Sequence, residues 1–97
     1  MSNNRRIVKG KGSTGCIFPN YRWCGPGCSG PGKPINDVDA CCMRHDLCLR
    51  RGISPCQCDE ELINCLKTKI NSHTEKGRNA EIMYYALKIK TFLTCRW

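Results

Sequence analysis

The chain has 97 residues, including 10 cysteines, and its 16 lysines and arginines outnumber 8 aspartates and glutamates to give a net charge of +8. This length argues against a multidomain protein, so we expect one domain over residues 1–97 that needs cross-links to supplement a small core. No apolar run approaches the ~20 residues that cross a bilayer, so we expect any membrane contact to be peripheral.

The cysteine content indicates a disulfide scaffold formed in an oxidising compartment. We therefore expect a secreted or extracellular protein, although the first ten residues, MSNNRRIVKG, contain no apolar signal-peptide core. Either a leader has been removed or export takes another route. The positive charge favours an anionic partner, and both lipid headgroups and nucleic acid fit, while solubility alone is the plainer explanation.

The first segment, residues 1–15, is polar and basic and contains no acidic residue, which predicts a flexible arm. From Cys16 to Pro34 the chain is rich in glycine, proline and cysteine, and this composition predicts an irregular, tightly turned loop. Glycines let such a loop turn several carbonyl oxygens toward one point, an arrangement that suits Ca²⁺. The alternative is a disulfide-pinned surface loop that holds no ligand.

The stretch DVDACCMRHDLC, residues 37–48, predicts the first helix. Its aspartates at the start, Asp37 and Asp39, suit a first turn because carboxylates accept from the free N–H groups there. Three side chains then share one helical face at i, i+4 and i+7: Cys41, His45 and Cys48.

Asp46 follows His45 directly, and adjacent side chains on a helix diverge by about 100°. The imidazole then faces a partner helix, and the carboxylate faces the region where the glycine-rich loop can pack. If Cys24 pairs with Cys42, the loop is fastened to the helix one turn before Asp46. One carboxylate, loop carbonyl oxygens and water would complete a calcium site.

Two further helices are predicted. The second contains the run CDEELINCLK, which starts at Cys58, and ends within residues 67–72. The third covers residues 80–93, and the polar linker between them carries His73, which we expect to be an exposed bystander. The third helix has more apolar positions than one buried stripe needs, so we expect some of them to face a lipid surface.

The first two helices each carry two cysteines seven residues apart. Equal separations of two helical turns permit, without establishing, two bridges between antiparallel helices: Cys41 with Cys65 and Cys48 with Cys58. In that arrangement His45 and Asp59 lie within about one turn of the same bridge. The carboxylate can then orient the imidazole as a general base.

Four motifs together resemble secreted phospholipase A2, and most closely its bee-venom-like branch. They are WCGxG at 23–27, DACCxxHDxC at 39–48, CxCD at 56–59 and DxxxxxCL at 59–66. The similarity covers residues 21–95, and the double cysteine followed by His-Asp is a specific motif. It implies a mostly α, small disulfide-rich phospholipase A2-like fold with two antiparallel cross-linked helices, a calcium-binding loop and a third, C-terminal helix.

The resemblance implies calcium-dependent hydrolysis of the sn-2 acyl ester of glycerophospholipids, which gives a fatty acid and a lysophospholipid. His45 matches the general base that takes a proton from water, and Asp59 matches the carboxylate that fixes its tautomer. The Gly25 N–H matches a donor to the developing oxyanion. Tyr84 matches the tyrosine that supports the aspartate, with Tyr85 as the alternative.

The same resemblance implies the calcium ligands. Asp46 matches the carboxylate ligand of Ca²⁺, and the main-chain oxygens of Trp23, Gly25 and Gly27 match the loop ligands. Many relatives have a second tyrosine where this chain has Leu49, so we expect a reduced hydrogen-bond network around the aspartate. By analogy, the remaining disulfides are expected to be Cys16–Cys28 and Cys56–Cys95.

Two alternatives compete with the enzyme. One is a catalytically silent, basic toxin-like or receptor-binding relative, but every matched site residue is present. The other is a cysteine-rich zinc module that binds nucleic acid, but adjacent cysteines and a one-residue gap do not form the usual Cys-x₂₋₄-Cys pairs. We therefore predict an enzyme that acts as a monomer on an anionic phospholipid surface, and we expect no nucleic-acid partner.

Overall fold

Three helices, joined and preceded by irregular segments, make up the structure, a computed structural model that describes residues 16–25, 28 and 30–95. They are α1 (Asp37–Arg50), α2 (Pro55–Lys67) and α3 (Glu75–Thr94). The described residues form no strand, and the predicted mostly α fold is confirmed. The predicted basic arm at residues 1–15 lies outside the described residues, as does Gly27.

Each helix begins at a side chain that accepts a hydrogen bond from a free main-chain N–H group. Asn36 accepts from Asp39 N at 2.8 Å at the start of α1. Ser54 caps α2, and Thr74 caps α3 by accepting from Gly77 N at 3.1 Å. Capping residues satisfy donors that the helix itself leaves unpaired, so each start is locally determined.

All ten cysteines are paired in disulfides. Cys41–Cys65 and Cys48–Cys58 join α1 and α2, and because the first cysteine of one helix meets the last of the other, the two helices are antiparallel. The other pairs are Cys16–Cys28, Cys24–Cys42 and Cys56–Cys95. The two pairings that the spacing permits and the two expected by analogy are present, as is Cys24–Cys42, and no thiol is left for the zinc-module alternative.

Helix α3 begins earlier than predicted. The expected start at residue 80 is wrong, because Thr74 caps the helix and the chain is already helical from Glu75. Gly77 lies where this turn meets the preceding linker, and a Cβ added to it would come within 2.2 Å of Asn71 O. The glycine therefore permits a close approach of two backbone segments, which a sequence pattern does not distinguish from a helix-breaking glycine.

Helix α2 ends at the first residue of the predicted range of residues 67–72. Its last residue is Lys67, and the Thr68 hydroxyl donates to Cys65 O at 2.8 Å. The next turn tightens, since Lys69 N donates to Leu66 O at 2.8 Å. These carbonyl oxygens accept from groups three residues later and not four, so the α-helical hydrogen-bond pattern stops there.

The core is small and lies where the loop and the three helices meet. Its buried members are Tyr21, Cys24, Val38, Cys41, Cys42, Leu62, Leu66, Ala80 and Met83. The Tyr21 hydroxyl accepts from the side-chain amides of Asn36 at 3.1 Å and Asn79 at 3.3 Å, so one residue links the loop to α1 and α3. Disulfide sulfur forms much of this core, as expected when a short chain cannot bury enough aliphatic surface.

The outer face of α3 is apolar and exposed. Its large side chains are Ile82, Tyr85, Ile89, Phe92 and Leu93, and Phe92 is 76% exposed. Among the described residues, none of the helices combines the length and the hydropathy that a membrane span requires.

Candidate active site

A cavity of about 490 Å³ opens between the glycine-rich loop and the three helices. Its lining is mostly apolar: Ile17, Trp23, Gly25, Cys28, Cys42, His45, Asp46, Leu49, Leu62, Met83, Ala86, Leu87 and Lys90. Of the described lining residues, three carry an ionisable side chain, namely His45, Asp46 and Lys90. An apolar cavity with a few converging polar groups is the usual form of a small-molecule site.

His45 contacts Asp59 directly. Its Nε2 lies 2.7 Å from Asp59 Oδ1, and the aspartate side chain is 1% exposed whereas that of the imidazole is 22% exposed. The Cys48–Cys58 bridge explains the contact, because Asp59 follows one of its cysteines and His45 precedes the other by three residues. The predicted contact between imidazole and carboxylate is present.

This contact fixes which ring nitrogen is free. An ionised carboxylate only accepts hydrogen bonds, so Nε2 carries the hydrogen and Nδ1 is the acceptor in the neutral imidazole. Since His45 lines the cavity, the side chain that could take a proton borders the space where a substrate would lie. The pair is therefore arranged as a histidine general base with an orienting aspartate.

The second oxygen of Asp59 contacts a lysine. Lys90 Nζ, on α3, lies 2.5 Å from Asp59 Oδ2. Tyr84, which the resemblance matches to this supporting position, instead places its ring edge-on to Tyr85 and near the Lys88 ammonium. The structure thus brings Lys90, and not Tyr84, to the buried carboxylate.

Asp46 lines the same cavity as His45 and the loop residues Trp23 and Gly25. The Arg50 guanidinium lies 3.0 Å from Asp46 Oδ2, one helical turn further along α1. The same guanidinium lies 5.9 Å from the centre of the Trp23 ring. The carboxylate and the Trp23 ring of the loop therefore share one guanidinium as a neighbour.

The loop is held against α1 by a buried carboxylate whose role the sequence did not reveal. Asp39 is fully buried and accepts from the main-chain N–H groups of Arg22 at 3.1 Å, Trp23 at 2.9 Å and Ile35 at 3.1 Å. The sequence predicts it only as a first-turn residue. The sequence does contain one indication of this second role. Asn36 caps the helix and Asp37 already places a carboxylate in its first turn, so Asp39 is not needed there.

The loop backbone turns tightly around Trp23. Gly25 has a φ of 130°, which other residues rarely adopt, and its carbonyl oxygen accepts from Cys28 N at 3.0 Å. A Cβ added to Gly30 would lie 2.7 Å from the Trp23 ring. The Cys24–Cys42 bridge then fastens this loop to α1 four residues before Asp46.

Within the described part of the chain, no three metal-binding side chains of His, Cys, Asp or Glu come together. A cation in this cavity would therefore need main-chain oxygens in addition to the Asp46 carboxylate. Gly25 and Trp23 line the cavity beside Asp46, whereas the predicted ligand Gly27 lies outside the described residues.

Comparison with known proteins shows which family this chain belongs to. Residues 14–90 match the family described as phospholipase A2-like domain. The chain belongs to the phospholipase A2-like family. The match includes His45, Asp46 and Asp59, and the predicted resemblance to secreted phospholipase A2 is confirmed.

Individual relatives are similar over shorter stretches. Phospholipase A2 of Xylocopa aruana, a bee, is 35% identical over 71 residues, covering 53% of this chain and 40% of that protein. Probable phospholipase A2 homolog 1 of Oryza sativa subsp. japonica is 39% identical over 49 residues, covering 47% of this chain and 36% of its own length. Acidic phospholipase A2 5 of Echis pyramidum leakeyi is 28% identical over 102 residues, covering 75% of this chain and 73% of its own length.

The chain spans about two fifths of the length of the bee and rice relatives. No solved structure matches it.

Proposed function

We propose that this phospholipase A2-like chain hydrolyses the sn-2 acyl ester of glycerophospholipids in a calcium-dependent reaction. The observation that supports this most strongly is the 2.7 Å contact between His45 Nε2 and the buried Asp59, beside a cavity that Asp46 also lines. Ester hydrolysis at neutral pH needs a base and charge stabilisation at the carbonyl oxygen, and these residues offer both.

His45 acts as the general base in this proposal. With Nε2 donating to Asp59, Nδ1 removes a proton from the attacking water, and Asp59 keeps the ring in the required tautomer. General-base catalysis of this kind contributes about 10²- to 10⁴-fold to the rate. Water attacks directly, so no serine or cysteine nucleophile is required, and the chain contains no Gly-x-Ser-x-Gly motif.

Calcium fits the oxygen groups around the cavity. Asp46 would hold it together with the main-chain oxygens of Trp23 and Gly25, and Gly27 is the further ligand that the resemblance implies. Carboxylate and carbonyl oxygens are the ligands that Ca²⁺ takes, and the Cys24–Cys42 bridge and the Asp39 hydrogen bonds hold the loop beside Asp46. Calcium, when bound, would supply a Lewis acid for the ester carbonyl. The Gly25 N–H would donate to the oxyanion.

The substrate is proposed to come from an anionic phospholipid surface. The cavity is lined mainly by apolar side chains, which suit an acyl chain, and α3 supplies three of them together with the exposed apolar outer face. The net charge of +8 adds attraction to anionic headgroups. Contact would be peripheral, and the five disulfides support a secreted protein.

The test is fatty-acid release from mixed anionic vesicles made of phospholipids whose sn-1 and sn-2 acyl chains differ. We expect release of the sn-2 chain with calcium and none with chelator. Asp46→Lys should abolish release, because it places an ammonium where the cation would bind, whereas Glu60→Lys, an exposed acid on α2 that does not line the cavity, should retain activity. Calcium-independent release, or undiminished turnover by Asp46→Lys, would contradict the proposed site, and a wild-type chain without turnover would favour the silent-relative alternative.

A further inference from the structure

Asp59 is a buried carboxylate with one partner for each oxygen. Its side chain is 1% exposed, Oδ1 lies 2.7 Å from His45 Nε2, and Oδ2 lies 2.5 Å from Lys90 Nζ. A buried carboxylate is costly unless both oxygens have donors or a counter-charge. Lys90 meets both needs at once, because its ammonium is a donor and a positive charge.

The fold places this ammonium beside the carboxylate. Lys90 belongs to α3 and Asp59 to α2, and the Cys56–Cys95 bridge joins the start of α2 to the end of α3. Asp59 follows Cys56 by three residues, and Lys90 precedes Cys95 by five. The two charged groups therefore lie within about two helical turns of one covalent link, which limits how far Lys90 can move from Asp59.

We propose that Lys90 is a positioning residue for the general base, and that it acts by holding Asp59 Oδ2 so that Oδ1 stays directed at His45. This proposal rests on the hydrolytic function proposed above. Without Lys90, the carboxylate is free to rotate about its terminal torsion, which has a broad energy profile. The imidazole then loses the fixed partner that orients Nδ1.

A lysine at this position supports the aspartate in a different way from the tyrosine that the resemblance implies. A tyrosine hydroxyl would donate to the carboxylate without carrying a charge, whereas Lys90 forms an ion pair with a carboxylate that is shielded from solvent. The positive charge offsets the cost of burying the carboxylate, which a neutral donor does not. A positively charged side chain should therefore support the aspartate better than a neutral side chain of similar length.

The experiment compares Lys90→Met, Lys90→Arg and the control Lys67→Met on a short-chain phospholipid kept below its aggregation concentration. Dispersed substrate removes any effect of charge on vesicle binding. Lys67 is an exposed lysine at the end of α2 and does not line the cavity. We expect Lys90→Met to lower kcat about tenfold or more with KM changed less than about twofold, since general-base catalysis contributes ~10²- to 10⁴-fold.

Lys90→Arg should restore part of the lost kcat because it keeps the charge, and Lys67→Met should match the wild type. Melting temperatures confirm that every variant is folded at the assay temperature. If Lys90→Met does not fold, Lys90→Gln takes its place and should show a smaller loss of kcat with KM again nearly unchanged, because glutamine keeps an N–H donor but loses the charge.

A double-mutant cycle shows whether Lys90 acts through Asp59. In an Asp59→Asn background, Lys90→Met should change kcat less than about twofold, because the partner is already altered. A full and independent loss in that background overturns the inference, as does an unchanged kcat in Lys90→Met when the wild type is active. A wild-type chain without calcium-dependent turnover overturns the proposed function, and this inference with it.

Discussion

Replacing Asp39 by alanine tests how the glycine-rich loop is held beside the candidate site. The carboxylate is fully buried and accepts from three main-chain N–H groups, those of Arg22, Trp23 and Ile35. Alanine removes all three acceptors at once. We expect the loop to loosen, and calcium binding to weaken with it.

The size of the effect follows from the donors that lose their partner. A buried donor without an acceptor costs about 1–3 kcal/mol. Arg22 and Ile35 are exposed, so water can replace the acceptor at both, whereas Trp23 is half-buried. A hydrogen bond to a charged group is worth about 1.5–3 kcal/mol, so we expect Asp39→Ala to lower the free energy of unfolding by about 2–3 kcal/mol, from the 5–15 kcal/mol that is usual for a domain.

Urea unfolding with the disulfides intact measures this loss. At an m value of about 1–3 kcal/mol/M, the midpoint should fall by about 1–3 M. Asp37→Ala is the matched control, because Asp37 lies two residues earlier on α1 with its side chain 45% exposed, and its ion pairs with Lys69 and Lys76 are worth at most about 1 kcal/mol. Equal midpoints for the two variants would refute the role given to Asp39.

Two further predictions concern charged residues of α1. Arg50→Gln should tighten calcium binding about two- to fivefold in calorimetry, because the guanidinium 3.0 Å from Asp46 competes with the cation, whereas Arg51→Gln should not; weaker binding in Arg50→Gln would be inconsistent with such competition. The hydrogen bond from Lys76, followed by the charges of Lys76 and Lys69, lowers the pKa of Asp37 below its ordinary value of 3.8. A pKa that is lower in the folded state stabilises the fold at pH values above the ordinary pKa of 3.8, and this contribution is lost as the pH falls through the folded-state pKa. The melting temperature of Asp37→Asn should thus lie slightly below that of the wild type at pH 6 and approach it below about pH 3.5, and a difference that stays constant with pH would argue against the linkage.

The parts of the fold that short-range spacing determines were predictable. Seven residues separate the cysteines on each of α1 and α2, and that equality is enough to suggest the antiparallel pairing that the structure contains. His45 and Asp59 come together for the same reason. His45 lies about one helical turn before Cys48, and Asp59 directly follows Cys58, the partner of Cys48. Of the other three bridges, Cys16–Cys28 and Cys56–Cys95 needed the family resemblance, since no local rule selects among distant cysteines.

The parts that depend on long-range packing were missed. Lys90 reaches Asp59 across 31 residues of sequence, and which side chain of α3 does so depends on how the helix is rotated against α2. Periodicity alone does not set that rotation. Asp39 presents a similar difficulty, since a carboxylate in a first turn can accept from its own helix or from a loop 16 residues earlier. Gly77 and Asn79 weaken the helical pattern locally, although both are buried in α3.

The most direct test of the account is the rate of sn-2 fatty-acid release by the wild type and by His45→Gln, measured at saturating calcium on the same anionic vesicles. Glutamine keeps a polar side chain but cannot act as the base, so we expect the variant to lose at least about 10²-fold in kcat while its calcium binding and melting temperature stay close to those of the wild type. Turnover by His45→Gln within a fewfold of the wild type would show that the imidazole is not the base and would contradict the account.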